Sequence, residues 1–149
     1  MRAGIAIFAK TIGLSPVKTR LAQSIGREKA ETFYALSVAC IESVVRSLPP
    51  EFSPHWAIGE EEGLDDAQWL LMPRFWTGPG GLGDRLAQVS GHILGNFDAF
   101  YLIGTDSPQI SSKRFLAADE ILKNDLNVCV AGPACDGGFY LFASAKPIP

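Results

Sequence analysis

Apolar residues along this chain come in two rhythms. Short unbroken runs alternate with stretches in which they recur every three or four positions. Gly4 to Ala9 (GIAIFA) is an apolar run ending at Lys10 and reads as a buried strand. From Gly26 the rhythm becomes helical: Ala30, Phe33, Ser37, Ile41, Val44 and Leu48 fall on one face. The helix should stop before Pro49-Pro50, because proline cannot continue it. His55–Ile58 predicts a second strand, Asp65–Leu71 a short helix, and Pro73–Thr77 a third strand. Asp84–Leu94 predicts a helix and Phe100–Gly104 (FYLIG) a strand. Ser111–Lys123 follows as a helix with Phe115, Ala118 and Leu122 on one face. Val128–Ala131 and Phe139–Ala143 close the chain as strands. Such alternation is the signature of an α/β architecture with a parallel or mixed sheet. Neither an internal repeat nor a long linker interrupts it, so residues 1–149 are read as one domain.

In sheets of this kind ligands bind just beyond the carboxyl ends of the strands. The loops to read closely are therefore Lys10–Arg20, Gly78–Arg85, Thr105–Pro108 and Gly132–Gly138. The first carries Lys10, Lys18 and Arg20 within eleven residues after a strand, where cations can meet phosphates. It is not a P-loop, since no G-x-x-x-x-G-K-[ST] is present. The second, GPGGLGDR, lets the backbone come close to a ligand, with Arg85 just inside the next helix. A plain flexible turn would read the same way. In the third, Asp106 follows an apolar strand, so its carboxylate should stand at the sheet edge. A hard oxygen there suits Mg²⁺, which takes its other ligands from water and phosphate. The bland alternative is a capping Asp in a turn. The fourth loop sets Asp136 before Gly137-Gly138, a pattern that also describes a tight hairpin turn.

Composition narrows the partners. A net charge of −3 leaves no electrostatic footprint for nucleic acid, so an anionic ligand has to be held by a few local cations. Three cysteines without C-x-x-C spacing argue against a disulfide framework or a zinc site. Cys40 and Cys129 lie in apolar runs and are expected in the core, and Cys135 has no base near it in sequence. His55 and His92 read as strand-edge and helix-surface residues. No secretory signal or apolar stretch of about 20 residues is visible, so the expectation is a cytoplasmic protein without a membrane span.

Five motifs occur in order: IFAK (Ile7–Lys10), VKTRLA (Val17–Ala22), LGDRL (Leu82–Leu86), LIGTDSP (Leu102–Pro108) and GPACDGGFYL (Gly132–Leu141). Over essentially the whole chain they resemble the bacterial radical-SAM/selenodomain-associated transferases. That family is glycosyltransferase-like, has the nucleotide-diphospho-sugar transferase (GT-A) fold, and is similar to guanylyltransferases acting on phospholactate and molybdopterin. The resemblance implies a three-layer α/β/α sandwich with a mostly parallel mixed sheet, C-terminally short. It implies that Lys10, Lys18 and Arg20 contact nucleotide phosphates. Gly80, Gly81, Gly83 and Arg85 would lie near base and ribose. Asp106 would hold Mg²⁺ or Mn²⁺. Asp136 would orient or deprotonate the acceptor, with Gly137 and Gly138 beside it. The chain departs from the family's usual first loop at Ile12 and Ser15, where proline and glycine are the rule, and at Gly81, where an acid usually precedes L-G. Longer relatives continue for about 50 residues, a length within one domain, with an acidic segment able to complete the metal site.

The expected activity is transfer from an activated nucleotide to a small acceptor: either nucleotidyl transfer from an NTP or glycosyl transfer from a nucleotide sugar. The alternative is a degenerate, non-catalytic nucleotide-binding or assembly subunit. A dinucleotide oxidoreductase is disfavoured, since no G-x-G-x-x-G follows the first strand. Phe139–Ala143 is expected to expose apolar surface or a strand edge and so to favour a homodimer.

Overall fold

The computed structural model describes residues 1–149. Its strands are β1 (Ala3–Ala9), β2 (Phe52–Ile58), β3 (Arg74–Trp76), β4 (Ala99–Ile103), β5 (Cys129–Pro133) and β6 (Phe139–Ser144). Its helices are α1 (Thr19–Ile25), α2 (Arg27–Arg46), α3 (Leu82–Leu94) and α4 (Ser112–Asn124). The strands form one six-stranded sheet in the order β3-β2-β1-β4-β6-β5. The first four run parallel, β6 runs antiparallel to both its neighbours, and the sheet is therefore mixed.

β1 is apolar throughout because both of its faces are covered. Ala3, Ile5, Ile7 and Ala9 join a cluster of 20 buried residues with Ile41 and Val45 of α2 and Phe115, Ala118 and Leu122 of α4. Ala6 turns the other way, to a cluster of six with Ala57, Phe100, Leu102 and, from α3, Val89 and Ile93. A fully buried aliphatic or aromatic side chain contributes about 1.5–3 kcal/mol, so the larger cluster carries most of the stability. Helices on both faces make the expected three-layer α/β/α sandwich.

Several expectations need correction. The buried face of α2 is Ala30, Tyr34, Ser37, Ile41 and Val45, while Phe33 is exposed. Adjacent aromatics at 33 and 34 satisfy the same rhythm, and only packing decides between them. Cys40 and Cys129 are exposed, as is Cys135. The first lies on the outer side of α2 and the second on the edge strand β5, where an apolar neighbour in sequence does not share a face. The short helix expected over Asp65–Leu71 is two 3₁₀ turns, Glu61–Asp65 and Ala67–Trp69. The polar loop ends earlier than Arg20, because α1 begins at Thr19. β6 is not an edge: it pairs with β4 and β5, Leu141 and Ala143 are buried, and only Phe139 remains exposed.

One feature of the topology positions the site. From β1 the chain order runs to β2 and β3 on one side, and β4 lies on the other. Loops leaving β1 and β4 therefore diverge and leave a crevice at their carboxyl ends.

Candidate functional site

That crevice is a cleft of about 1000 Å³. Its lining is drawn from the ends of β1, β2, β3 and β4, from the start of α1 and α3, and from Phe33 and Tyr34 in the first half of α2. Lys10, Lys18, Arg20, Arg85 and Asp106 all line it. Four cations against one carboxylate make a local excess of positive charge in a protein whose net charge is −3. The cleft is thus suited to an anion despite the overall field.

The first loop is built on buried anchors. Thr11 is fully buried; its N–H donates to Glu60 Oε1 and its Oγ1 accepts from Trp69 Nε1 at 3.0 Å. Tyr34 Oη accepts from the Lys10 N–H at 2.8 Å and donates to the Lys10 carbonyl at 2.7 Å, locking the backbone where β1 ends. Burial raises the Tyr34 pKa above its ordinary value, so it stays a neutral phenol that can both donate and accept. Lys18 closes the loop with φ 49° and ψ 46° and is the only non-glycine residue at positive φ. That conformation costs a non-glycine residue about 1–2 kcal/mol. It brings the Lys18 ammonium to 2.8 Å from Asp106 Oδ1 and 5.4 Å from the centre of the Phe33 ring. The Lys18 side chain is 18% exposed and that of Asp106 is 86% exposed. Asp106 therefore keeps open access to solvent and ligand.

The opposite wall is the glycine-rich loop. Gly78 and Gly80 take φ of 85° and 98°, which an L side chain adopts only under strain. Thr77, Leu82 and Arg85 reach the cleft from this side, whereas Gly80 and Gly81 in the loop and Gly83 in the first turn of α3 do not line it. Arg85 Nη1 donates to the Gly59 carbonyl and to Thr77 Oγ1, and its Nε donates to the Gly80 carbonyl, each at 3.1 Å.

Asp136, Gly137 and Gly138 form the tight turn between β5 and β6. Asp136 Oδ1 accepts from the Gly138 N–H at 3.0 Å, and Gly137 has φ 89°. All three are exposed and none lines the cleft. The turn does stand at the same sheet edge as Asp106, because Ile103 at the end of β4 pairs with Leu141 near the start of β6.

Thr11, Tyr34, Phe33, Gly59, Thr77 and Leu82 belong to the site or its supports and were not singled out by sequence. Thr11 and Gly59 each directly follow a strand-end residue or strand, a signal that was present. Tyr34 and Phe33 were hidden by the one-residue rotation of α2.

No group of three or more His, Cys, Asp or Glu side chains comes together. The chain thus offers no all-protein metal cage, but Asp106 fits the mode in which Mg²⁺ takes one carboxylate and completes its shell with phosphate and water.

Residues 60–149, more than half of the chain, match the profile of a family described as an uncharacterized protein conserved in bacteria (DUF2064). The chain belongs to this family. No curated protein matches it. Among solved structures, this DUF2064 chain is similar to a protein of Desulfovibrio desulfuricans provisionally described as a nucleotide-diphospho-sugar transferase. The TM-score is 0.82 at 23% identity, over 96% of this chain and 63% of that one. It is also similar to a CMP:2-keto-3-deoxy-manno-octonic acid synthetase complexed with CTP, at TM-score 0.59 and 15% identity, over 88% of this chain and 53% of that one. A third likeness is to 4-diphosphocytidyl-2C-methyl-D-erythritol synthase of Anaerococcus prevotii, at TM-score 0.53 and 13% identity, over 95% and 70%. At these identities the likeness shows the fold, which is that of nucleotide-diphospho-sugar transferase-like structures. The chain spans under two thirds of the length of the first two.

Proposed function

We propose that this protein is a metal-dependent transferase that takes an activated nucleotide, an NTP or a nucleotide sugar, and transfers its nucleotidyl or glycosyl group to a small acceptor. The single observation that carries the reading is the convergence of Lys10, Lys18, Arg20 and Asp106 on one cleft at the sheet's switch point. A fold neighbour that holds CTP supports a nucleotide as the ligand.

Lys18 and Arg20 sit on the turn and first residues of α1, so both can grip the same polyphosphate, Arg20 with its fork and Lys18 as a point charge. In the free protein Lys18 is paired with Asp106. A phosphate oxygen would take over the ammonium and free the carboxylate. Asp106 would then hold Mg²⁺ or Mn²⁺ together with phosphate oxygens, and the bound cation would neutralise charge developing there. The wall of Gly59, Thr77, Leu82 and Arg85 would take base and ribose. The acceptor would enter from the β5–β6 turn, where Asp136 would orient or deprotonate its nucleophile. In nucleotidyl transfer the acceptor oxygen bonds to the α-phosphorus and pyrophosphate leaves. In glycosyl transfer it bonds to the sugar C1 and the nucleoside diphosphate leaves.

A second reading, nucleotide binding without turnover, is favoured by the donor set, which offers a single carboxylate in the cleft. Product analysis with several NTPs and sugar nucleotides separates the two.

The test of the site is thermal. Ligands that bind only the native state raise apparent stability. NTPs and sugar nucleotides are screened with and without MgCl₂ on the wild type and on Asp106→Ala. The expected result is a Mg²⁺-dependent rise of several degrees in the wild type, lost in the variant. An equal rise in both would reduce Asp106 to a turn residue, and no rise with any nucleotide would end the proposal.

A further inference from the structure

We infer that Arg85 is a positioning residue, which fastens the glycine-rich loop into a rigid wall of the cleft, and not a cation that grips phosphate. Its role as a wall of a nucleotide site rests on the function proposed above, whereas the fastening itself does not.

A segment such as Thr77–Gly81 has the composition of the loosest part of a chain, because glycine loses the most conformational freedom on ordering. Yet three side chains from the first two turns of α3 hold it. Asp84 Oδ2 accepts from the Gly81 N–H at 2.9 Å, Arg85 Nε donates to the Gly80 carbonyl at 3.1 Å, and Gln88 Nε2 donates to the Pro79 carbonyl at 3.0 Å. Arg85 alone reaches beyond the loop. Through Nη1 it also engages the Gly59 carbonyl after β2 and Thr77 Oγ1 after β3. One planar group therefore joins the ends of two strands to the loop between β3 and α3. A guanidinium has five N–H donors in fixed directions. Three are spent here, on neutral oxygens, and none of the chain's four ion pairs includes Arg85. Its place is set by the acceptors around it and not by a carboxylate.

A lysine would keep the charge at this position. It could not reproduce the fork, since an ammonium on a flexible stem presents its donors from a single atom. That difference separates fastening from charge. Hydrogen–deuterium exchange on the full ligand-free chain compares wild type, Arg85→Lys and Arg85→Gln. The protected amides of this wall, Thr77 (bonded to the Ile58 carbonyl) and Gly81 (bonded to Asp84), should exchange at least about tenfold faster in both variants, while those of β1 and β4 keep their protection. Titration with CTP–Mg²⁺ and GTP–Mg²⁺ should then show Arg85→Lys losing about as much affinity as Arg85→Gln. The inference is overturned if Arg85→Lys retains wild-type loop protection, or if it retains affinity that only Arg85→Gln loses. Gln88→Ala, which removes a neighbouring tie outside the cleft and leaves every charge in place, guards against a global effect. It should loosen the same amides to a lesser degree, and unchanged exchange there would also count against a fastened loop. If neither nucleotide binds the wild type, the proposed function falls, and the exchange data still decide the role of Arg85.

Discussion

The two loops that face each other across the cleft invert what their compositions suggest. The glycine-rich loop should be the looser one, yet it is tied by Asp84, Arg85 and Gln88, and its strained φ values fall on glycines that bear them at little cost. The basic loop has fewer glycines, yet it ends in the one side-chain-bearing residue held at positive φ, Lys18. Strain placed on a residue that cannot relax it stands here at the mouth of the cleft, a kind of position where such strain tends to cluster. The difference teaches that one wall of this cleft is held by side-chain ties to its backbone, while the other gathers three of the cleft's four cations.

The comparison can be broken on the charge side first. Arg20→Ala should weaken nucleotide triphosphate binding by about 1.5–3 kcal/mol if the side chain makes a charged hydrogen bond to phosphate. Calorimetry of the variant checks this, and an unchanged Kd would make the loop a solvated basic turn. On the shape side, Gly78→Ala should destabilise the protein by more than about 1 kcal/mol in urea melts. It forces a side chain into φ 85° and sets a Cβ 1.8 Å from Gln88 Oε1. Because that oxygen belongs to a flexible side chain that can withdraw, the backbone strain is the part that must remain. A wild-type melting midpoint would show that the loop is free to adjust.

Lys18→Gly tests the contrast from the other direction. Glycine accepts the left-handed backbone, so the variant should gain up to about 1 kcal/mol of stability while losing affinity for nucleotide. The Lys18–Asp106 pair is open on its Asp106 side, 86% exposed, and about 0–1 kcal/mol from it offsets at most that gain. A less stable variant would mean that the contacts of Lys18 with Asp106 and Phe33 outweigh its strain.

The smallest effect lies away from both loops and supplies a baseline. His55 packs against Phe97 and Phe75, and His92 stacks on Phe75 at 4.1 Å. Burial first, and the neighbouring His92 second, hold the His55 pKa below its ordinary 6.5. As pH falls past 6.5 the unfolded chain takes the proton before the folded one does. The stability owed to neutral His55 is therefore full above that pH and declines as pH drops toward the folded-state value. His55→Phe should flatten the decline measured by denaturant melts between pH 7 and 5, without changing nucleotide affinity at pH 7.

Much of the fold could be read from periodicity, because β1, β4 and α4 owe their patterns to burial on known numbers of faces. Lys10 and Asp106 could be read as site candidates for a similar reason: charged groups just after apolar strands have to stand at the sheet edge. Lys18, Arg20 and Arg85 could be read as cations in or next to the loops that follow β1 and β3. Tyr34 could not. Its partner is the backbone of Lys10, 24 residues away in sequence, and no local pattern encodes that hydrogen bond. Asp136 was legible only as one of two things, and the structure builds it into the hairpin turn, leaving its acceptor role to experiment.

What the amino-acid sequence determined by itself was the alternation of strands and helices and the kinds of chemistry set at the strand ends, since both follow from local sterics and from which residues water will accept. Tertiary structure alone decided which ends meet. The strand order brings the loops of β1 and β4 apart and then together around one cleft. The rotation of α2 buries Tyr34 in place of Phe33, and the fork of Arg85 ties its own loop to Gly59, 26 residues back in the chain. These are long-range contacts, chosen by the packing of the whole sheet, and no stretch of sequence contains them.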